Sequence, residues 1–365
     1  MTPSTELQYR DRFTRDLIRL FSYACRISRF NPAQCIFWIR TYLRQKKKAN
    51  TRRKAEAENL VVPPVLIFSA TTHCNLRCKG CYAGSRTGIP AELTISRIQD
   101  LFHEASELGV GVVMIAGGEP LMKPEVLWAA GKHKDMIFPV FTNGMLLNSG
   151  SLSYFRHHRN LVPVLSAEGD RNRTDSRRGS GVYARLIQNM EQLHRSRQMY
   201  GLSFTLTREN YDEVTQPSLL HSYHDLGCRL FFMVDYVPQS EADMDHCLTR
   251  EQKELLPARL ELLRKRIPAL FISLPGDEEK FGGCLAAGRG FAHISASGNL
   301  EPCPFAPYSD NNLRDKPLKE ALRSPFMKTI RESHHLLGEV NGGCTLWENR
   351  EWVDSQLITA LARPA

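Results

Sequence analysis

From residue 61 onward the chain alternates short apolar runs with longer amphipathic stretches. No other feature of the sequence limits the fold as strongly. Strand-like runs occupy 65–70, 111–116, 137–141, 161–166, 202–207 and 229–235. Helix-like segments lie between them, near 94–108, 123–133, 150–157, 182–200 and 212–226. Repeated strand–helix alternation predicts an α/β fold with a parallel sheet and crossover helices. In parallel α/β barrels, ligand chemistry belongs at the C-terminal ends of the strands. The 365 residues suffice for one large domain or for two.

At the end of the first run stands Thr71-Thr72-His73-Cys74-Asn75-Leu76-Arg77-Cys78-Lys79-Gly80-Cys81-Tyr82, with three cysteines at i, i+4 and i+7. Iron–sulfur clusters are held by Cys thiolates and normally take four. This loop supplies three, which leaves one iron open to bind something else. Two other readings stand beside the cluster. The spacing is also one face of a helix, so the cysteines could be core residues, although Gly80 and Asn75 suit a helix interior poorly. A zinc site with His73 as fourth ligand is the other. Arg77 and Lys79 add positive field, which favours thiolate over thiol.

The spacing Cys74-x3-Cys78-x2-Cys81 resembles the cluster loop of the radical S-adenosylmethionine (radical SAM) superfamily, and the resemblance extends along residues ~62–240. Gly117-Gly118-Glu119-Pro120 is similar to that family's second motif, Thr142-Asn143-Gly144 to the element after the third strand, and Ser166-Ala167-Glu168-Gly169 with Arg178 to the fourth. Each of these stretches sits at the end of a strand-like run. The resemblance implies a partial (β/α)6 TIM-like barrel with a catalytic [4Fe–4S] cluster on Cys74, Cys78 and Cys81. It further implies that the cluster's open iron binds S-adenosylmethionine.

On that reading the site residues take roles. Gly117 and Gly118 would let a ligand approach their backbone, and the second motif, with Glu119, would meet the amino group of the methionine moiety. Asn143, Ser166 and Glu168 would line the same pocket, with Glu168 standing where relatives often carry Asp. Arg178 would hold the methionine carboxylate as a fork, with Arg177 as the alternative should the register shift by one. Tyr82 would shield the cluster or simply pack. Thr205 and Thr207 would approach the ribose, and Asp235 would line the pocket. The implied chemistry is reductive cleavage of the sulfonium and hydrogen abstraction by a 5′-deoxyadenosyl radical, with a low-potential donor such as ferredoxin or flavodoxin as partner. The cofactor carries the hard step while the protein orients the reactants.

Residues 1–60 differ from the rest. They hold fourteen Lys and Arg against five Asp and Glu, so the chain's formal net charge of +9 resides there and the remainder is balanced. Helices are predicted at about 6–28 and 33–48, with Asn31 as N-cap and Pro32 at the first position. The first carries Leu17, Leu20, Phe21, Cys25 and Ile27 among Arg15, Arg19, Arg26 and Arg29. The second carries Ile36, Phe37, Ile39, Tyr42 and Leu43 before Lys46-Lys47-Lys48 and Arg52-Arg53-Lys54. Such helices can lie on an anionic membrane surface, or pack on the catalytic domain with a solvated basic linker after them. A nucleic-acid partner is not expected, since a charge cluster alone says little. Cys25 and Cys35 read as core residues.

No N-terminal segment has the unbroken apolar core of a signal peptide, because Arg or Asp recurs every few residues. No stretch approaches the roughly 18–20 apolar residues of a membrane span. A cytoplasmic location, at most peripheral on the inner membrane surface, is therefore expected. The ten cysteines then suggest metal binding rather than disulfides.

A further amphipathic helix is expected at 250–267, and a closing one at Leu346 to Leu361. Between them, Cys284-x13-Gly298-x4-Cys303 resembles the opening of the SPASM and twitch domains, and Cys344 follows Gly342-Gly343. Phe291 to Asn299 reads as a hairpin that would bring Cys284 and Cys303 onto neighbouring strands. Three thiolates suffice for a second, auxiliary [4Fe–4S] cluster; structural cysteines or zinc are the alternatives. Cys228 and Cys247 match no motif. The expected organisation is a basic helical extension over 1–60, a barrel over 61–245 and an auxiliary-cluster domain over 246–365. The expected function is radical oxidation or rearrangement of a small molecule or sugar. A ribosomal peptide maturase and a non-catalytic electron-transfer protein are the alternatives.

Overall fold

The computed structural model describes residues 3–28, 31–84, 91–274, 278–337 and 344–362. The six expected strands form within one or two residues of their predicted limits. The chain opens with helices α1 (Pro3–Ile27) and α2 (Pro32–Ala57), followed by β1 (Val65–Ser69), α3 (Ile95–Leu108), β2 (Val112–Ala116), α4 (Pro124–Lys132), β3 (Phe138–Thr142), α5 (Ser149–His157) and β4 (Leu161–Ala167). Next come α6 (Arg171–Arg178), α7 (Val182–Arg195), β5 (Gly201–Leu206), α8 (Tyr211–Val214), α9 (Pro217–Asp225) and β6 (Leu230–Asp235). One helix expected over 212–226 is thus two, because Pro217 opens a new helix with no N–H to give.

Beyond residue 245 the barrel continues. Helix α10 (Arg250–Arg266) leads into β7 (Leu270–Leu274), which pairs in parallel with β6 and adds a seventh strand–helix unit. Strand β8 (Phe291–Ile294) pairs in parallel with β1, and β9 (Leu300–Glu301) returns antiparallel to β8. The result is one nine-stranded sheet in the order β7-β6-β5-β4-β3-β2-β1-β8-β9. The hairpin assigned to a separate C-terminal domain therefore belongs to the barrel's own sheet, and the boundary expected at 245 runs through it. Its turn has the expected Gly298 in the left-handed region, φ +94°. Helices α11 (Leu318–Ala321), α12 (Pro325–Glu332), α13 (Thr345–Glu348) and α14 (Arg350–Leu361) follow, so the closing helix is interrupted at Asn349.

Alternating side chains give the sheet two apolar faces. Leu66 and Phe68 of β1 join Phe102, Phe138, Leu165 and Phe204 under the outer helices. Val65 and Ile67 join Met114, Val162, Met199 and Phe232 on the inner face, and there Phe21, Ala24 and Trp38 of the N-terminal helices complete the cluster. The inner face of α1 is thus accounted for by packing on the barrel. The run expected as a solvated basic linker is also packed. Lys48 donates to Ser106 O at 3.0 Å and Arg52 to Gly109 O at 2.5 Å, so both cations meet the carbonyls at the C-terminal end of α3. These anchors carry α2 nine residues past its expected end, to Ala57. Cys25 and Cys35, expected in the core, are only half-buried and face each other, Sγ to Sγ at 2.8 Å, which pushes the Cys25 thiol up to about 11. Arg29, Gly342 and Gly343 lie outside the described residues.

Candidate active site

The cysteine loop leaves β1 at the C-terminal end of the sheet and is held from several sides. Gly118 N donates to Thr71 O and Glu119 N to His73 O, each at 2.8 Å. Glu92 Oε1 accepts from Thr71 Oγ1 at 2.7 Å, Thr72 N at 2.8 Å and Thr72 Oγ1 at 3.1 Å, and its other oxygen meets Lys123 Nζ at 2.9 Å. At the far end Lys79 N donates to Arg177 O, and Arg177 Nε returns a bond to Lys79 O. Asn143 Nδ2 bridges to Asn75 Oδ1 at 2.9 Å and approaches Cys74 Sγ at 3.8 Å. Nothing in the sequence singled out Glu92 or Lys123; a Glu eleven residues past Cys81 carries no motif.

These bonds present Cys74, Cys78 and Cys81 to a single cavity of about 610 Å³, which all seven barrel strands line. Gly117, Gly118, Glu119, Asn143, Ser166, Tyr82 and Arg178 line it too, as does Asp235. Burial pushes the Cys74 and Cys78 thiols up, and at Cys78 the Arg178 charge opposes that most strongly, with Arg177 adding to it. The cations that matter at Cys78 come from α6 rather than from Arg77 or Lys79.

Several residues sit otherwise than the sequence suggested. A Cβ on Gly118 would fall 2.0 Å from His73 O, and one on Gly117 2.6 Å from Thr71 O. The two glycines are therefore needed first for the close approach of the cysteine loop's own backbone. The carboxylate of Glu119 is buried and takes bonds from Leu121 N, Thr142 Oγ1 and Asn143 N, so it braces the β2 turn against β3. Glu168 is buried away from the cavity lining, where Oε1 accepts from Arg177 Nη1 at 2.6 Å and Arg178 Nε at 2.7 Å. Both arginines reach the cavity, and the two share one carboxylate. Thr205 faces the cavity and accepts from Arg177 Nη1, whereas Thr207 is used in a turn with Asn210. His73 turns to Thr71 and Glu92 and takes no place in the cavity lining.

The second cysteine group lines the same cavity. Cys284 and Cys303 are buried and Cys344 half-buried. Cys284 and Cys303 flank the β8–β9 hairpin rather than sit on its strands, Cys303 in a tight turn closed by Ala306 N. Tyr82 packs edge-on against Phe305, ring centres 5.1 Å apart, and so joins the cysteine loop to this region. Cys228 and Cys247 are buried and outside the lining.

Among the described residues, no three Cys, His, Asp or Glu side chains converge as the ligands of one ion do. The cavity also keeps a polar group in reserve: the buried Tyr236 hydroxyl, on its lining, has no hydrogen-bond partner among the described residues.

Comparison with known proteins agrees with this geometry. Residues 68–216 match the model of the radical SAM superfamily. The chain is 25% identical over 305 residues to the AdoMet-dependent heme synthase of Methanosarcina barkeri, covering 76% of this chain and 87% of the other. It is 25% identical over 300 residues to the pre-heme d1 synthase of Dinoroseobacter shibae, covering 72% and 74%. In fold it is similar to Streptococcus suis SuiB bound to precursor peptide SuiA, with a TM-score of 0.61 at 17% identity over 86% of this chain and 76% of that one. A cysteine loop at the C-terminal end of a parallel half-barrel and relatives matched along most of their length lead to one conclusion: this enzyme carries a radical SAM domain over residues 68–216.

Proposed function

We propose that the enzyme carries a [4Fe–4S] cluster on Cys74, Cys78 and Cys81, cleaves S-adenosylmethionine there, and oxidises or rearranges a large, mainly apolar substrate of which a tetrapyrrole is the leading candidate. The observation that carries this reading is the cavity. Behind the cysteine loop its wall is mainly aliphatic and aromatic, from Val65, Met114, Phe141, Phe232 and Ile272 on the sheet to Leu17, Leu20 and Phe21 on α1, with Asp16, Arg19, Arg264 and Lys280 among its few charged groups. Such a wall offers few partners to the hydroxyls of a sugar and a good solvent to a flat, apolar ring system. The relatives named AdoMet-dependent heme synthase and pre-heme d1 synthase support the same class.

When bound, the cluster and S-adenosylmethionine supply one electron and a carbon radical able to take a hydrogen atom. The chain's own residues bind and orient. Arg178, held by Glu168, presents its fork for the methionine carboxylate. The Gly117–Glu119 turn and Asn143 hold the loop in place and would receive the amino group, with Ser166 and Thr205 also on the lining. Tyr82 and Phe305 stand between the loop and Cys303. Cys284, Cys303 and Cys344 hold a second cluster on this reading, close enough to the cavity to bind substrate or pass an electron. Ferredoxin or flavodoxin would be the external reductant.

The test is anaerobic reconstitution followed by incubation with S-adenosylmethionine, a low-potential reductant and an iron tetrapyrrole bearing propionates. The expected result is 5′-deoxyadenosine, loss of the tetrapyrrole substrate, and abolition of both by Cys78→Ser. Iron content should fall by about half in Cys303→Ser. A fully iron-loaded protein that forms no 5′-deoxyadenosine overturns the radical reading. One that forms it only with a short ribosomal peptide overturns the tetrapyrrole assignment in favour of peptide maturation.

A further inference from the structure

Helix α2 is amphipathic in the reverse of the usual sense. Toward the barrel it buries Gln34, Thr41, Gln45, Lys48 and Arg52 beside Trp38 and Ala49. Its polar groups there are used: Gln34 Oε1 accepts from Arg159 Nη1 at 2.7 Å, Gln45 Nε2 donates to Gly111 O at 2.9 Å, and Lys48 pairs with Asp135 at 2.7 Å. Toward solvent it turns Ile36, Ile39 and Leu43, which are 51%, 49% and 58% exposed. These stand at i, i+3 and i+7, on one side of the helix. The same side continues with the exposed Lys46, Lys47 and Lys54, and Arg40 flanks it. A soluble helix normally puts its aliphatic stripe inward. Here the inner contacts are taken by polar anchors, and among the described residues nothing covers the stripe.

We propose that this face of α2 docks on the surface of an anionic lipid bilayer. Ile36, Ile39 and Leu43 enter the interface while the lysines and Arg40 meet the headgroup phosphates. Charge decides between occupants. No Asp or Glu occurs between Asp16 and Glu56, so a second copy bringing the same face would set cations against cations. A nucleic acid would satisfy the lysines and leave the aliphatic stripe in water. Only a surface that is anionic outside and apolar just beneath answers both halves of the helix. The inference is independent of the substrate reading, since none of these side chains lines the cavity.

The experiment is flotation of the full-length, cluster-loaded protein with vesicles of phosphatidylcholine alone or of phosphatidylcholine with phosphatidylglycerol. The protein should float with the anionic vesicles and stay behind with the neutral ones. The double variants I39E/L43E and K46E/K47E should each lower the bound fraction at least about tenfold, with melting temperature and 5′-deoxyadenosine formation unchanged. Comparison of the two vesicle types needs no variant, so a misfolded variant leaves the test intact. Wild-type protein that stays behind with both vesicle types overturns the proposal. So do variants that float like wild type, a dimer in light scattering that L43E dissociates while vesicle binding is absent, and binding to a DNA duplex alone that survives I39E/L43E.

Discussion

The carboxylate of Glu92 accepts the backbone N–H of Thr72 at 2.8 Å, so a residue outside the cysteine loop fixes the direction in which that loop leaves β1. The same oxygen takes the Thr71 and Thr72 hydroxyls, and Lys123 ties the other oxygen to the turn before α4. Glu92→Ala removes all of these at once and leaves the Thr72 amide unpaired. It is expected to cost about 2 kcal/mol of stability and to lower the iron retained after anaerobic reconstitution. Iron analysis beside thermal unfolding checks both.

The same carboxylate sets a pH dependence. Burial alone would raise its pKa, but the Thr72 amide, the Thr71 hydroxyl and Lys123 outweigh it and hold the group down at about 2, against an ordinary 4.5. A carboxyl depressed in the folded state contributes its full stability above about pH 4.5 and loses it as the pH falls toward 2. Pepsin cleavage within residues 71–82 should therefore rise across that window in the wild type. In Glu92→Gln it should already be high at pH 4.5. A loop equally resistant in both proteins would show that Glu92 does not hold it.

Gly118 and Gly179 separate two reasons for glycine. At Gly118 a Cβ would lie 2.0 Å from His73 O, against backbone that cannot yield without moving the cysteine loop. At Gly179, φ is +117° but nothing lies within 4 Å of the Cβ position. Gly118→Ala is expected to abolish iron incorporation, whereas Gly179→Ala should cost on the order of 1 kcal/mol and keep the iron. Iron per polypeptide and the denaturant midpoint of the two variants, measured side by side, test the distinction.

The inner barrel was legible because its signals are local. Each strand is a continuous apolar run bounded by turns, and each motif follows a strand end. The C-terminal sheet edge was not. Strand β8 has only four residues and pairs with β1 more than 220 positions earlier, a partnership no local pattern announces. Helix α6 was missed although its signals were present. Asp170 caps it by accepting from Arg173 N at 2.9 Å, and Gly179 ends it, but the arginines between gave no apolar periodicity to read. The second motif lines the cavity at the end of β2 and also holds the cysteine loop in place. Gly118 and Glu119 bond the loop's backbone through their amides, a contact the motif string does not announce, because a tight turn and a ligand cradle place the same residues in sequence.

Arg177 and Arg178 share the buried carboxylate of Glu168 but differ in their second contacts. Arg177 also holds Lys79 O and Thr205 Oγ1, whereas Arg178 gives both Nε and Nη2 to Glu168 Oε1. Glu168→Gln strands two half-enclosed cations and should cost about 3 kcal/mol or more. Arg177→Ala leaves Glu168 paired with Arg178, so it should cost less; its mark is release of the Lys79 end of the loop and reduced iron loading. Arg178→Ala should keep the iron and weaken S-adenosylmethionine binding, with Arg178→Lys recovering little because a single ammonium cannot reproduce the fork. Equilibrium dialysis on iron-matched samples distinguishes the two arginines.

A last buried chain joins the late hairpin to the strand that precedes the cysteine loop. His293 on β8 meets Ser69 Oγ through Nε2 at 2.8 Å and Glu301 through Nδ1 at 2.7 Å, with His293 and Glu301 almost fully enclosed. Ser69 is the final residue of β1, so the position of the loop's first residues depends on where β8 docks. The arrangement of hydroxyl, imidazole and carboxylate resembles a nucleophilic relay, but Ser69 does not line the cavity. Its work is registration: both ring nitrogens are engaged, which fixes β8 against β1 and β9 against β8. Glu301→Ala should leave the imidazole half-satisfied in an apolar interior and cost about 2–4 kcal/mol. Ser69→Ala, which removes one bond at the same site, should cost about 1 kcal/mol. If the chain also aligns the two cysteine groups, Glu301→Ala will lower iron at both, whereas an effect confined to global stability would leave the iron content of folded protein at the wild-type value. Native mass spectrometry of the folded fraction reads that difference directly.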